Sequence, residues 1–169
     1  MHHSKEKKFL KNFINYTFSI IAVSLSLLLA FPVWASADYG KQTLIGADFS
    51  NTDLKGATFY LTNLQDADLS GSDLEGASFF DAKLKNTNLS NTNLKEATLD
   101  SAIIDGANLN NAYLEDAFAF NTLFKNVSII GSDFTNVILG TRETDYLCSI
   151  AEGINTVSNK STKDTLGCK

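Results

Sequence analysis

The chain has 169 residues, enough for one domain and a targeting segment. His2, His3, Met1, Trp34 and Pro32 are its only residues of these types, so a chain cut near residue 37 keeps no histidine for acid–base chemistry or metal binding. From Asp38 onward, 10 Lys and Arg oppose 18 Asp and Glu, a net charge near −8 that argues against nucleic acid as a partner.

Residues 1–37 have the order of a secretory signal peptide. A basic stretch precedes a long apolar one, and Pro32 then precedes the small-residue sequence Ala35-Ser36-Ala37. This order predicts export and cleavage after Ala37, with Ala35 and Ala37 as the recognised residues. The alternative is a retained membrane anchor, because the apolar stretch approaches the length that spans a bilayer. That uncleaved segment would be the only part of the chain expected to contact a membrane.

After a lead-in at residues 38–41, a five-residue period runs without insertion over residues 42–141. Nineteen of the twenty residues at every fifth position from Leu44 to Leu139 are large and apolar, and Ala119 is the exception. The residues two positions earlier are nearly all small, and those two positions later are rich in Gly, Asn and Asp. A helix repeats near 3.6 residues and a strand at two, so neither explains this period. The period predicts a chain that turns a corner every five residues and buries its apolar side chains by stacking.

Individual units resemble those of a known family. Ala67-Asp68-Leu69-Ser70-Gly71 and Ala107-Asn108-Leu109-Asn110-Asn111 are similar to the A-(D/N)-L-x-x unit of the pentapeptide-repeat family. The resemblance covers residues 42–141. It implies an all-β solenoid, a right-handed quadrilateral β-helix of about five coils with four units in each coil.

Residues twenty positions apart should then stack on one another. Four residues at that spacing alternate in charge and are predicted to form an inter-coil charge ladder: Lys55, Glu75, Lys95 and Glu115. The same stacking puts Asp48 over Asp68 and Asp53 over Asp73. Like charges in such positions repel unless the carboxylates bond to local backbone N–H groups instead.

Residues 142–169 lack the period and are predicted to form a small α-helical C-terminal cap. The pattern from Arg142 predicts a short helix that ends at Gly153, with Leu147, Ile150 and Ala151 covering the last coil. Cys148 and Cys168 are the only cysteines, and export supplies an oxidising compartment, so they are predicted to form a disulfide. Two free thiols are the alternative, and the disulfide could be either structural or a redox switch.

The tail carries a second resemblance. Eight of its residues are similar to the L-C-x-x-A-x-G-x-N…T…L-x-C tail of exported thylakoid-lumen pentapeptide-repeat proteins: Leu147, Cys148, Ala151, Gly153, Asn155, Thr162, Leu166 and Cys168. Those proteins occur in cyanobacteria and plants. The resemblance implies a location across a membrane, in the thylakoid lumen or the periplasm.

No catalytic, zinc or phosphate-binding motif follows the signal, so the chain is predicted not to be an enzyme and to need no cofactor or metal. Five outward positions form a candidate partner face: Tyr60, Phe80, Phe118, Phe120 and Ile138. The alternative is that Phe118 or Phe120 turns inward beside Ala119. The face predicts a binding or scaffold module with an unidentified protein partner and no nucleic acid partner. Two other functions stay open: an acidic DNA mimic that inhibits a topoisomerase, as in some members of the family, or a membrane-anchored structural protein.

Overall fold

Parallel pairing at a constant offset of twenty residues organises the chain in the computed structural model, which describes residues 36–169. Sixteen isolated parallel bridges join residue i to residue i+20, from Asp38–Thr58 to Phe118–Ile138. Two short strands, β1 (Ile103–Asp105) and β2 (Leu123–Lys125), pair in parallel at the same offset. The chain is therefore a β solenoid, and its pairing begins at Asp38, within the predicted lead-in.

The corners of the solenoid share one backbone conformation. Every fifth residue from Lys41 to Asn136 has a φ between 52° and 74°, at six glycines and fourteen other residues. Seven of the fourteen are Asn and three are Asp, which tolerate this left-handed region better than most side chains. The remaining four corners lie at Lys41, Leu61, Glu96 and Ser101. At these four positions the stacked neighbours impose a backbone that the local sequence does not favour.

The core consists of the large and small inward positions of the repeat. The large side chains from Leu54 to Leu114 are at most 4% exposed. The rings of Phe59 and Phe79 stack with their centroids 4.9 Å apart, and Tyr39 stacks on Phe59 at 5.0 Å. Each fully buried side chain of this size contributes about 1.5–3 kcal/mol, so the stacked column is the main source of stability.

Hydroxyl groups at the small inward positions are hydrogen-bonded. Thr62 donates to the carbonyl of Tyr39 at 2.7 Å, and Thr87 donates to that of Leu64 at 2.9 Å. A buried hydroxyl without a partner would destabilise the fold. These bonds explain why Thr and Ser can replace Ala inside the shaft.

The stacked aspartates also find partners. Asp48 and Asp68 are bridge partners, as are Asp53 and Asp73. The Oδ1 of Asp48 accepts a hydrogen bond from the Ser50 N–H at 2.9 Å, and Asp68 accepts one from Ser70 at 2.8 Å. The bond from Ser50 holds the pKa of Asp48 below its ordinary value. The carboxylates thus bond to local backbone N–H groups, and these bonds offset the repulsion between them.

Helix α1 (Thr141–Ile150) follows the last repeat unit directly. The prediction that it ends at Gly153 was wrong by three residues. Ala151 is extended, and the carbonyl of Glu152 accepts a hydrogen bond from Gly131 N at 2.8 Å. The chain thus leaves the helix to pair with the solenoid. Gly153 has a φ of +83°, and a Cβ there would lie 2.8 Å from Gly131 N, so only glycine fits this close approach.

Helix α2 (Thr162–Leu166) begins after Ser161, whose hydroxyl accepts a hydrogen bond from Asp164 N at 3.1 Å. Leu147 of α1 and Ala151 after it are buried in the same apolar cluster as the repeat residues. Ile150 is partly buried and also packs against this cluster. The C-terminal segment therefore packs on the solenoid through all three predicted residues.

The predicted signal peptide lies outside the described residues except for Ser36 and Ala37. The carbonyl of Ala37 accepts a hydrogen bond from Thr58 N at 2.9 Å, so the residue before the predicted cleavage point already joins the pairing. Within residues 36–169, no helix has the length and apolar character that crossing a bilayer requires.

Candidate partner-binding face

The five residues predicted as a partner face all lie on the surface, and we call them the aromatic face. Their exposed fractions are 38% for Tyr60, 41% for Phe80, 44% for Phe118, 53% for Phe120 and 50% for Ile138. Each of the five flanks the inward position of one side of the solenoid, where a side chain must point away from the core. Large apolar side chains concentrated on one side of a polar body are typical of an interaction surface.

The aromatic face has two parts. The rings of Tyr60 and Phe80 stack 5.9 Å apart, and the Nζ of Lys41 lies 5.8 Å from the centre of the Tyr60 ring. Phe118 and Ile138 are bridge partners one coil apart. Between the two parts, the Oδ1 of Asp100 accepts a hydrogen bond from Phe120 N at 2.7 Å. The carboxylate of Asp100 therefore lies between the two apolar parts.

The structure does not support the alternative in which Phe118 or Phe120 fills the interior beside Ala119. Ala119 is fully buried, whereas both phenylalanines remain about half exposed. The backbone explains this result, because Phe118 pairs with Thr98 in the same register as every other outward bridge residue. Turning either ring inward would break that register.

The predicted charge ladder forms only at one end. The Nζ of Lys55 lies 3.0 Å from Glu75 Oε2 and 3.2 Å from Asp73 Oδ2. These contacts raise the pKa of Lys55, chiefly through the hydrogen bond to Glu75. Lys95 and Glu115 stack in the same column, since the N–H groups of Gly76 and Glu96 bond to their carbonyls. Neither forms an ion pair within 4.0 Å among residues 36–169. The prediction that the charge ladder continues beyond Glu75 was therefore wrong.

A disulfide joins Cys148 of α1 to Cys168 after α2, with an S–S distance of 2.01 Å. The two cysteines are the only ones in the chain. The bond links the last turn of α1 to the residues that follow α2. The two cysteines are 20 residues apart in the sequence, and both lie outside the repeat.

Two buried polar side chains anchor this segment to the solenoid: Asn155, which belongs to the tail motif, and Asp133, which the sequence did not single out. Asn155 is fully buried, and its Nδ2 donates to the carbonyls of Gly131 at 2.8 Å and Ala112 at 3.3 Å. Asp133 is also fully buried. Its Oδ1 accepts hydrogen bonds from Thr135, and its Oδ2 lies 3.9 Å from the Nζ of Lys160.

Burial raises the pKa of the Asp133 carboxyl. The nearby Ser158 and Thr135 groups and the charge of Lys160 together lower the pKa by more than burial raises it, so the pKa lies below its ordinary value. No well-formed hydrogen bond within residues 36–169 reaches Oδ2. The ionised carboxylate is therefore held by one hydrogen-bonded oxygen and one nearby ammonium group. Asp133 occupies an ordinary repeat position, so the only sequence signal for its role was an acidic residue beside the aperiodic tail.

Sequence reasoning also missed exposed apolar residues on the side next to the aromatic face. Ile103 is 38% exposed and Leu123 is 46% exposed. Both stack in one column with Lys83 through parallel pairing. The twenty-residue spacing of these three residues was the available signal. Elsewhere in residues 36–169, no group of three or more His, Cys, Asp and Glu side chains is placed to hold a metal ion.

Comparison with known proteins gives consistent results. The family described as Pentapeptide repeats matches residues 43–79, 77–116 and 105–140. A crystal structure of a pentapeptide repeat protein from the Arabidopsis thaliana thylakoid lumen is similar, with a TM-score of 0.75 and 42% identity over 76% of this chain and 90% of that chain. The family match covers nearly all of the region in which the solenoid pairing occurs, from residue 43 to residue 140.

Two further relatives are more distant or more partial. The structure of the pentapeptide repeat protein Rfr23 from the cyanobacterium Cyanothece has a TM-score of 0.59 at 20% identity, over 62% of this chain and 86% of that one, and this likeness concerns the fold alone. The Arabidopsis thaliana protein named thylakoid lumenal 15 kDa protein 1, chloroplastic, is 46% identical over 48 residues. That match spans 28% of this chain and only 21% of the relative.

Proposed function

Since this chain belongs to the pentapeptide-repeat family, we propose that it is a non-catalytic, exported module that binds a protein partner through the aromatic face. The observation that carries the proposal is the exposure of three Phe, one Tyr and one Ile on a single side of the shaft. An aromatic side chain left in water forgoes about 1.5–3 kcal/mol that burial would provide. Binding of a partner over this side would recover part of that free energy.

The proposal includes a finer architecture than the family alone requires. The shaft is right-handed and four-sided, with about five coils, and the C-terminal segment caps its last coil. The constant pairing offset of twenty residues between Asp38 and Ile138 supports the coil length. The burial of Leu147 and Ala151 against the repeat supports the cap.

Export is supported by the order of the first 37 residues and by the relatives. Two of them are proteins of the thylakoid lumen by name. For this chain we propose the thylakoid lumen or the periplasm, with the signal removed. Sequencing the N terminus of the mature protein should give Asp38 as the first residue, and a mature chain that begins at Met1 would favour the membrane-anchored alternative.

The test of the binding function is affinity capture with matched variants. Phe80→Ala/Phe120→Ala removes two exposed rings from the aromatic face and leaves the core intact. Ile130→Ala/Val157→Ala is the control, because these residues are 50% and 68% exposed but lie away from that face. We expect the first variant to capture about tenfold less partner than the wild type, whereas the control captures as much as the wild type.

Circular dichroism and urea unfolding should show that both variants are folded. Equal recovery of the same proteins by the wild type and the aromatic-face variant would contradict the proposal.

A further inference from the structure

The solenoid side that adjoins the aromatic face carries exposed lysine and aliphatic side chains instead of aromatic ones. Two residues of chain connect the two sides, for example the corner at Asn121 and then Thr122, between Phe120 and Leu123. We call this second side the lysine face and define it by five outward residues: Lys83, Lys85, Ile103, Leu123 and Lys125.

Backbone pairing sets the arrangement of the lysine face. Lys83, Ile103 and Leu123 form one column, since Lys83 bridges Ile103 and Ile103 pairs with Leu123. Asp105 and Lys125 pair in the neighbouring column. Stacked coils are spaced about 4.8 Å apart, so Lys83 and Leu123 are separated by about 10 Å along the shaft. One column therefore runs from a cation to two apolar side chains, and the neighbouring column places the carboxylate of Asp105 beside Lys125.

A groove of about 360 Å³ between β2 and α1 continues this strip. Leu123, Lys125, Arg142 and Tyr146 are among its lining residues. The side chains of Lys125 and Arg142 are 62% and 84% exposed. The groove thus offers two accessible cations beside an apolar and an aromatic surface.

The charge of this region is opposite to that of the body around it. The chain from Asp38 onward has 18 acidic residues against 10 basic ones. Lys83 and Lys85 have no carboxylate within 4.0 Å among the described residues, and Lys125 has only Asp105 at 3.9 Å. Glu143 is buried and bound to Arg142 at 2.8 Å, which leaves the outer edge of that guanidinium free for another anion. Local positive charge on an acidic protein selects an acidic partner and repels basic ones.

We propose that the lysine face and its groove bind an acidic, apolar segment of the partner protein in extended conformation. Carboxylates of the segment pair with Lys83, Lys85, Lys125 and Arg142, and its apolar side chains cover Ile103 and Leu123. The inference rests on the proposed function, because it gives the chemistry of the segment that lies beside the aromatic face. A length of about 10 Å plus the groove corresponds to four or five extended residues.

The test uses peptides of eight residues and fluorescence anisotropy. In the probe, Glu and Leu alternate, and in the matched peptide, Gln and Leu alternate. The wild-type protein should bind the Glu peptide at least about tenfold more tightly than the Gln peptide, and added salt should weaken the binding. Equal affinity for the two peptides would overturn the inference.

Two charge-matched variants locate the site. Lys83→Gln/Lys85→Gln/Lys125→Gln removes three charges from the lysine face, and Lys95→Gln/Lys163→Gln/Lys169→Gln removes three charges from other parts of the chain. The first should bind the Glu peptide about tenfold more weakly, while the second stays within about twofold of the wild type. Equal losses in both variants would mean that net charge alone attracts the peptide, and would also overturn the inference.

Two further measurements separate this inference from its alternatives. Binding of the wild type to phosphatidylcholine–phosphatidylglycerol vesicles without binding to the Glu peptide would assign the face to a membrane surface and refute the peptide site. Capture that depends on Phe80 and Phe120, without any selectivity for the Glu peptide, would refute the lysine-face inference and leave the proposed function intact. The reverse pattern would refute the aromatic face and support the lysine face.

Discussion

At the residue scale, each corner of the solenoid places one residue in the left-handed region, and the identity of that residue changes the energy of the corner. A non-glycine side chain in this region costs roughly 1–2 kcal/mol, and Asn costs less than most. Glu96 is an exposed corner with a φ of 57° and no ion pair among the described residues. The left-handed backbone at Glu96 is therefore unfavourable, and no ion pair of its side chain offsets this.

We predict that Glu96→Asn stabilises the fold by about 0.5–1 kcal/mol, because Asn relieves the corner while the stacked backbone stays unchanged. Urea unfolding measures this change. Glu96→Gln is the control, since it removes the same negative charge without a side chain suited to the corner. If the two variants gain equal stability, the gain comes from reduced charge repulsion and the backbone explanation is wrong.

Asp133 makes stability depend on pH through a single buried carboxylate. Its pKa is lowered in the folded state, so the ionised form stabilises the fold above the unfolded pKa near 4. This contribution disappears as the pH falls below that value and through the lower pKa of the folded state. We predict that Asp133→Asn is less stable than the wild type at pH 7 and that the difference shrinks between pH 4 and lower pH.

Urea unfolding at several pH values measures the Asp133 effect. Lys160→Met tests the neighbouring charge and should reproduce a smaller part of the loss at pH 7. A difference between the wild type and Asp133→Asn that stays constant down to acid pH would contradict the assignment.

At the element scale, the C-terminal segment depends on one covalent link and a few buried contacts. The disulfide closes a loop between residues 20 positions apart. Loop-closure entropy for this length corresponds to about 3 kcal/mol. We predict that dithiothreitol lowers the unfolding free energy of the wild type by about that amount.

The matched control for reduction is Cys148→Ser/Cys168→Ser, which should have the stability of the reduced wild type and should not respond to dithiothreitol. Hydrogen exchange gives the location of the effect. Amides of α1 and α2 should lose protection first, while those of the central coils keep it. Uniform loss of protection along the shaft would show that the disulfide supports the whole molecule.

The repeat and the tail differ in how far the sequence predicts them. The sequence predicts the large and small inward positions and sixteen of the twenty corners, because the same residue types recur at the same positions of every five-residue unit. Leu61 and Glu96 could not be identified as strained corners from local preference, because stacking forces their conformation. Asn155 and the end of α1 lie outside the period, where no repetition fixes a register. The exposure of Phe118 became clear only from its bridge to Thr98.

At the scale of the whole molecule, the four sides of the shaft present different chemistries on one repeated backbone. Aromatic groups occupy one side and lysines the next, while carboxylates such as Asp73, Glu75 and Glu115 line another. The backbone bonds that connect coils are the same on every side. Surface and core are therefore largely separable in this fold, so outward residues can change without loss of the shaft.

This separation leads to a prediction about removal of one coil. Deletion of residues 81–100 joins Phe80 to the corner at Ser101 and takes away as many basic as acidic residues, three of each. Every remaining pair keeps its offset, because the deletion equals the observed stacking interval of twenty. The shortened protein should fold with the wild-type circular dichroism signature and unfold cooperatively. Its unfolding free energy should fall by a few kcal/mol, since one set of nearest-neighbour contacts is lost.

Deletion of residues 81–98 is the control, because eighteen residues are removed and the interval of twenty is broken. Downstream of the cut, inward Leu and Phe positions would then stack on outward polar positions, which leaves apolar groups in water and carboxylates in the core. We expect this shorter deletion to abolish cooperative unfolding even though it removes less of the protein. Equal stability of the two deletion variants would show that the coils do not depend on the twenty-residue register, and the solenoid derived from the pairing would fail with it.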